Sequence, residues 1–298
     1  MRSSEALAHI LSTRIDELSE CAGNVTLQEI ARHDGLKSHL LDDPLSEIDI
    51  WDVDRFSVDV VPASIATAIL RDFMYGYERA SQQWASTASL CENIEQIAWG
   101  VVTSYYCGFF CAIEILRLRG AFLISCTGDE IKAFFGKATG NSKSEFLAKK
   151  HTNFVGTISS DFTKVEFKAS GAKPHQFAWQ QMSHSLFSAF PKRTAEWIEL
   201  DRLNKMCKGD KNWQIPSDIR NRWNYRDAHF FGAYGQKNAQ PFMKLIGRSK
   251  SATAWIGERI RVNNESEAIA SLATMVMFLW GGMNEAYNAS FATRYLQS

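Results

Sequence analysis

Between Pro216 and Phe231 the chain reads Pro-Ser-Asp-Ile-Arg-Asn-Arg-Trp-Asn-Tyr-Arg-Asp-Ala-His-Phe-Phe, a stretch crowded with side chains able to act on a phosphate. On a continuous helix, Arg222, Arg226 and His229 fall at i, i+4 and i+7 and share one face. Guanidinium groups bind and stabilise phosphate charge, and imidazole gives or takes a proton near neutral pH. These three are therefore the candidate catalytic groups. Arg220, Asn221, Asn224 and Tyr225 form a second set, suited to holding a polar substrate. The same residues also read as a solvated helix face whose bases pair with acids such as Asp218 and Asp227.

Other chemistries lack their signatures. The sequence contains no GxxxxGK[ST], no HExxH and no GxSxG, and its 7 histidines have no metal-ligand spacing. The 6 cysteines form no CxxC pair, and Cys107 and Cys111 read as core fillers on one helix face. Neither a metal nor a cofactor is expected.

The elements that must carry these residues are mostly helical. Leu7, Ile10, Leu11, Ile15 and Leu18 predict a helix over residues 4–21, stopped by Gly23. Thr26 with Glu29 and Thr127 with Glu130 have the spacing of capping boxes that open further helices. Long helices are expected over residues 64–90 and 92–119; the second is apolar around most of its circumference and ends at Gly120. Helical pattern resumes over 174–190 and 193–207. It opens again at Pro216, with Ser217 as the N-cap, and runs to about Phe231. A last helix spans 265–283, and its run Leu272 to Trp280 must be buried. Alternation at Phe56, Val58 and Val60, and again over 154–159 and 163–168, confines strand chiefly to about 52–60 and 154–168. The second pair reads as a β-hairpin insertion near 152–172.

Charge is balanced overall, with 33 basic and 33 acidic residues, so no global field points to nucleic acid or membrane. Locally it is polarised. Residues 1–60 hold thirteen acids against five bases, and 131–173 hold eight lysines against three acids, which reads as a solvated surface or a basic groove. The first residues have no apolar run of the length a secretory signal needs, and residues 97–116 read as a buried helix containing Glu114. A cytoplasmic chain that does not span a membrane is expected.

Two segments resemble the HEPN superfamily, helical bundles of prokaryotic toxin and antiviral-defence ribonucleases. Ser104-Tyr105-Tyr106-Cys-Gly-Phe109-Phe110, continuing as an aliphatic run to Gly120, is similar to that family's central helix. Ile219-Arg220-Asn221-Arg222-Trp223-Asn224-Tyr225 is similar to a later helix that carries its arginine. The resemblance implies a mainly α fold: a HEPN-like bundle over residues 63–298, with a helical extension at 1–62 and the β insertion. It also implies metal-independent cleavage of RNA, in which a base deprotonates the 2′-hydroxyl, an acid protonates the leaving oxygen and arginine stabilises the charged transition state. A homodimer that completes the site is implied as well, with RNA as substrate and a cognate antitoxin or defence protein as partner. Two departures stand out. Tyr225 occupies the place of the family's histidine when Arg220 is aligned, and Trp223 follows Arg222 in the alignment that reaches His229. An inactive binding module for RNA, a nucleotide or a protein partner is the alternative. Thr26 to Ser38 also resembles the first helix and turn of a helix-turn-helix module, followed by the acids Asp42 and Asp43 and by Pro44.

Overall fold

The computed structural model describes residues 2–23, 25–42, 47–136, 138–192, 194, 196–210 and 212–295, and is 70% helix and 10% strand. The chain is mainly α, as its apolar periodicity predicts. It divides into two compact units, each assembled from separated stretches. A helical unit comprises Met1–Ser12, Gly76–Ile115 and Ala178–Ala289, and a sheet unit comprises Thr13–Tyr75, Leu116–Phe177 and Ser290–Ser298.

The helical unit is organised on the helix Glu265–Ala286, every residue of which from Ala268 to Trp280 is buried. An apolar helix of this kind needs neighbours on several sides. Helix Ala233–Leu245 packs along it, and Ser249–Glu258 packs beside that pair. Its buried hydroxyls find partners within the helix: Ser271 donates to the Ala268 carbonyl at 2.6 Å and Thr274 to that of Ala270 at 3.0 Å. On the helix Ile97–Leu118, Glu114 is fully buried but paired with Arg79 at 2.9 Å, whose guanidinium covers the Phe110 ring. That pairing offsets the cost of a buried carboxylate. Cys107 and Cys111 are buried on the same helix, in keeping with core positions. Two stretches, Ile94–Leu118 and Glu265–Ala292, are long and apolar enough to cross a membrane, and 72% and 83% of their apolar windows are buried within the protein. Burial of that extent is what a core helix shows.

The sheet unit holds five antiparallel strands: β1 (Ile48–Asp52), β2 (Arg55–Asp59), β3 (Ala121–Ser125), β4 (Asn153–Ile158) and β5 (Lys164–Ala169), in the order β1-β2-β5-β4-β3. The β4–β5 hairpin is therefore the middle of a sheet, with β5 on β2 and β4 on β3. Read from the sequence it is an insertion, because a hairpin's local pattern says nothing of partners 28 to 113 residues away. One face buries Phe56, Phe154 and Phe167, and helices Gly128–Gly136 and Lys143–Ala148 lay Phe135 and Phe146 on it. The Phe56 ring meets those of Phe135, Phe146, Phe154 and Phe167 at centroid distances of 4.6–5.7 Å. β3 leaves the helix Ile97–Leu118 through Gly120, whose φ of +79° disfavours any residue with a Cβ.

Both capping boxes are present. Thr26 accepts from the Glu29 amide while Glu29 accepts from the Thr26 amide, and Thr127 and Glu130 do the same. After Leu27–Arg32 the chain turns at His33 to Gly35 into Leu36–Asp42, a helix-turn-helix outline. The second helix buries Leu36 and Leu40, and its Lys37 is engaged by Glu130 at 2.9 Å, so it offers no free basic surface. Asp43 and Pro44 lie outside the described residues. Two of the lysines of 131–173 are engaged: Lys143 binds the carbonyls of Gly136 and Ala138, and Lys164 pairs with Asp59.

Candidate functional site

The helix that begins the candidate site starts at Pro216, where a missing N–H costs nothing and the fixed φ suits the first helical position. Ile215 is the capping residue and Ser217 lies inside the first turn, so the N-cap expected at Ser217 is not used. Regular α geometry ends at Asn221. Residues 222–226 form a wider π turn, Asp227 is extended at φ −131° and ψ 91°, and residues 228–231 form a 3-10 turn. The single face expected for Arg222, Arg226 and His229 is thereby dissolved. It required 3.6 residues per turn without interruption, and the π turn and the extended Asp227 both break that register.

Each arginine in the stretch has a different fate. Arg222 pairs with Glu265 at 3.0 Å and also bonds to Gln214. Glu265, in the first turn of the central helix, accepts as well from the Trp223 indole N–H at 2.7 Å. Trp223 is fully buried and stacks on Phe230 at 4.5 Å. Arg222 and Trp223 therefore brace the π turn against the helix Glu265–Ala286, and a guanidinium already neutralised by a carboxylate is a poor phosphate ligand. Arg226, by contrast, is exposed.

Arg220 joins the two segments that carry the family resemblance. It is 6% exposed, and its guanidinium lies 5.1 Å from the Tyr105 ring centre, 5.4 Å from that of Tyr106 and 5.6 Å from that of Tyr225. Three rings around one cation form a cation–π box. Burial pushes the Tyr105 hydroxyl up to about 12, against the opposing pull of the Trp179 indole and of Arg220, so it stays protonated. Asn221 and Asn224 are half-buried beside this box in sequence.

His229 is exposed on the 3-10 turn, with its ring 4.7 Å from that of Tyr234 and 4.6 Å from that of Phe230. Gly235 makes this turn possible: a Cβ there would stand 1.7 Å from the Phe230 carbonyl oxygen, so only glycine lets the following helix approach so closely. Around the turn several large rings face solvent. Tyr225 is 70% exposed, Tyr234 50% and Phe231 40%, and Phe231 touches Trp99, itself 50% exposed.

Exposure of this kind has no signature in the sequence, where Trp99, Phe231 and Tyr234 pass for core. Glu265 was equally hidden, since nothing local marks a partner 43 residues from Arg222. Among the described residues, no three or more His, Cys, Asp or Glu side chains gather as a metal site. No family model matches the chain, and no curated protein or solved structure matches it significantly.

Proposed function

We propose that the chain is a HEPN-like module that binds single-stranded RNA on the face formed by Tyr225, Arg226, His229 and Tyr234. The observation that carries this reading is the run of solvent-facing rings on and around the 3-10 turn, interleaved with Arg226 and His229. Exposed aromatic rings on which bases stack, next to cations that meet the backbone, are what single-strand binding uses, at about 1–3 kcal/mol per stacked base. The Arg220 box holds Tyr225 from behind.

Fluorescence anisotropy with a labelled oligoribonucleotide tests it. Tyr225→Ala and Tyr234→Ala are each expected to weaken binding roughly 5- to 150-fold. Arg226→Ala is expected to flatten the dependence of affinity on salt by about 0.7 of a log unit per decade. Absence of RNA binding by the parent protein at low salt and micromolar concentration overturns the reading.

Cleavage is the second reading, supported by the exposure of His229 near Arg226 in sequence. An accessible imidazole can serve as acid or base without a metal. Under it, His229→Ala abolishes RNA cleavage in excess EDTA while leaving affinity nearly unchanged, and Arg222 acts on structure rather than on phosphate. The chain then works as a homodimer that pairs two such faces, in toxin or antiviral defence, with a cognate antitoxin or defence protein as partner. Sedimentation at micromolar concentration tests the pairing, and a monomer that cleaves RNA excludes it.

A further inference from the structure

A concave site lies within the helical unit, away in sequence from the ring-bearing turn. It is a cleft of about 870 Å³, within the range that accommodates small organic ligands. Helix Trp197–Lys208 forms one wall with an unusual division of labour. Its buried side carries Leu200, Leu203 and Met206, as an amphipathic helix should. Trp197, Asp201, Asn204 and Lys208, spaced i, i+4, i+7 and i+11, form a second stripe, and all four line the cleft. At 1.5 Å per residue that stripe runs about 16 Å.

The opposite wall is the segment from Gln180 to Lys192, and it is locally irregular. Residues 182–186 form a π turn, a feature that recurs at functional sites, and His184 in that turn lines the cleft. Ser183 donates to the Asn204 carboxamide oxygen at 2.7 Å, which ties the walls together and leaves the Asn204 amide group as a donor. Phe187 and Phe190 supply an apolar floor.

Among the described residues, the unpaired formal charges lining this cleft are positive. Asp201 is already neutralised by Lys205 on the next turn of its helix. Lys192, Lys208 and His184 have no ion-pair partner among the described residues, and all three side chains are exposed at the cleft. Lone lysines on a surface are ordinary, but here two of them and an imidazole converge on a concavity that also holds an indole and two phenyl rings. Such a lining complements an elongated organic anion with a flat apolar part.

We infer that this cleft binds an organic phosphate, its ring against Trp197 and its anionic group met by the cations of the cleft. Isothermal titration of the full chain with 1-naphthyl phosphate tests this, beside naphthalene-free tripolyphosphate as the charge-only probe. Saturable one-to-one binding of the naphthyl ester is expected. Replacing the two lysines and the imidazole together, His184→Gln with Lys192→Gln and Lys208→Gln, is expected to weaken it at least tenfold. These three residues are exposed, so the variant should keep the parental circular dichroism and melting curve. Trp197→Ala, checked in the same way, is expected to abolish the preference for naphthyl phosphate over tripolyphosphate. Tyr225→Ala is expected to leave binding unchanged, which separates this site from the RNA face. No heat at millimolar naphthyl phosphate, or binding that survives the triple replacement, or binding lost in Tyr225→Ala, overturns the inference.

Discussion

The phenylalanine face of the sheet unit and the turn at residues 222–231 use the same kind of side chain to opposite ends. On the sheet, Phe56, Phe154 and Phe167 are closed off by Phe135 and Phe146, and their rings are almost wholly buried. On the turn, only Trp223 and Phe230 are buried, and Tyr225, Phe231 and Tyr234 are left to solvent. Rings that satisfy one another stabilise a fold. Rings held at the surface by a buried brace remain available to a ligand, and that contrast is why the turn, rather than the sheet, is read as the binding face.

The largest expected effect tests the closed side of this comparison. Phe56 packs against the rings of Phe134, Phe135, Phe146, Phe154 and Phe167, so Phe56→Ala should cost about 3–5 kcal/mol in urea unfolding followed by circular dichroism. A loss below 1 kcal/mol would show that the cluster repacks and that the two regions differ less than their exposure indicates.

Next comes the brace. Glu265→Ala removes the shared acceptor of Arg222 and Trp223 and leaves a buried indole N–H unpaired. The part-exposed arginine recovers some solvation, so about 1–3 kcal/mol is expected. RNA affinity should fall together with stability, because the ring-bearing turn loses its anchor. Unchanged affinity would mean that the turn holds its shape without Glu265.

Substitutions on the open side should scarcely change stability. Tyr225→Ala is expected to shift unfolding by less than about 0.5 kcal/mol while reducing RNA binding, the reverse of the Phe56 result. A thermal melt and an anisotropy titration on the same preparation decide it; a large loss of stability would assign Tyr225 to the core.

The smallest effect concerns pH, in the sheet unit. The Glu130 carboxyl is held below the ordinary glutamate range, first by Lys37 and then by the Thr127 amide. A carboxyl with a lowered folded-state value contributes stability that is present above its unfolded value, near 4.5, and lost as pH falls through the folded one. Glu130→Gln should therefore narrow its stability gap to the parent as the pH is lowered from 6 to 3. Because the group is exposed the change is small, and a gap independent of pH would show that the capping box and the Lys37 contact do not hold the carboxylate.

What could be read from the sequence was local. Thr26 with Glu29, and Thr127 with Glu130, announce their helix starts because a capping box closes within four residues. The buried run from Leu272 to Trp280 needs no context, since nine such residues cannot all be solvated. The helix Ala233–Leu245 has no clear signal in the sequence because Gly235 and Pro241 break its pattern, although Gly235, Ala239, Phe242 and Leu245 keep a buried stripe. β3 has none either, because Ala121 to Ile124 is a short apolar run with no alternation, which strand and buried helix share.

At the site, the residue types were legible in the sequence and their roles were not. Arginines, a histidine and a tyrosine within ten residues already mark a place suited to a polyanion. Only the tertiary structure decided that Arg222 is neutralised by Glu265, that Arg220 sits among three tyrosine rings, and that His229 leaves the helix altogether. The physical reason is range. Caps and periodicity arise from bonds within one or two turns, whereas ion pairing, burial and exposure depend on which distant segments the packed chain brings alongside.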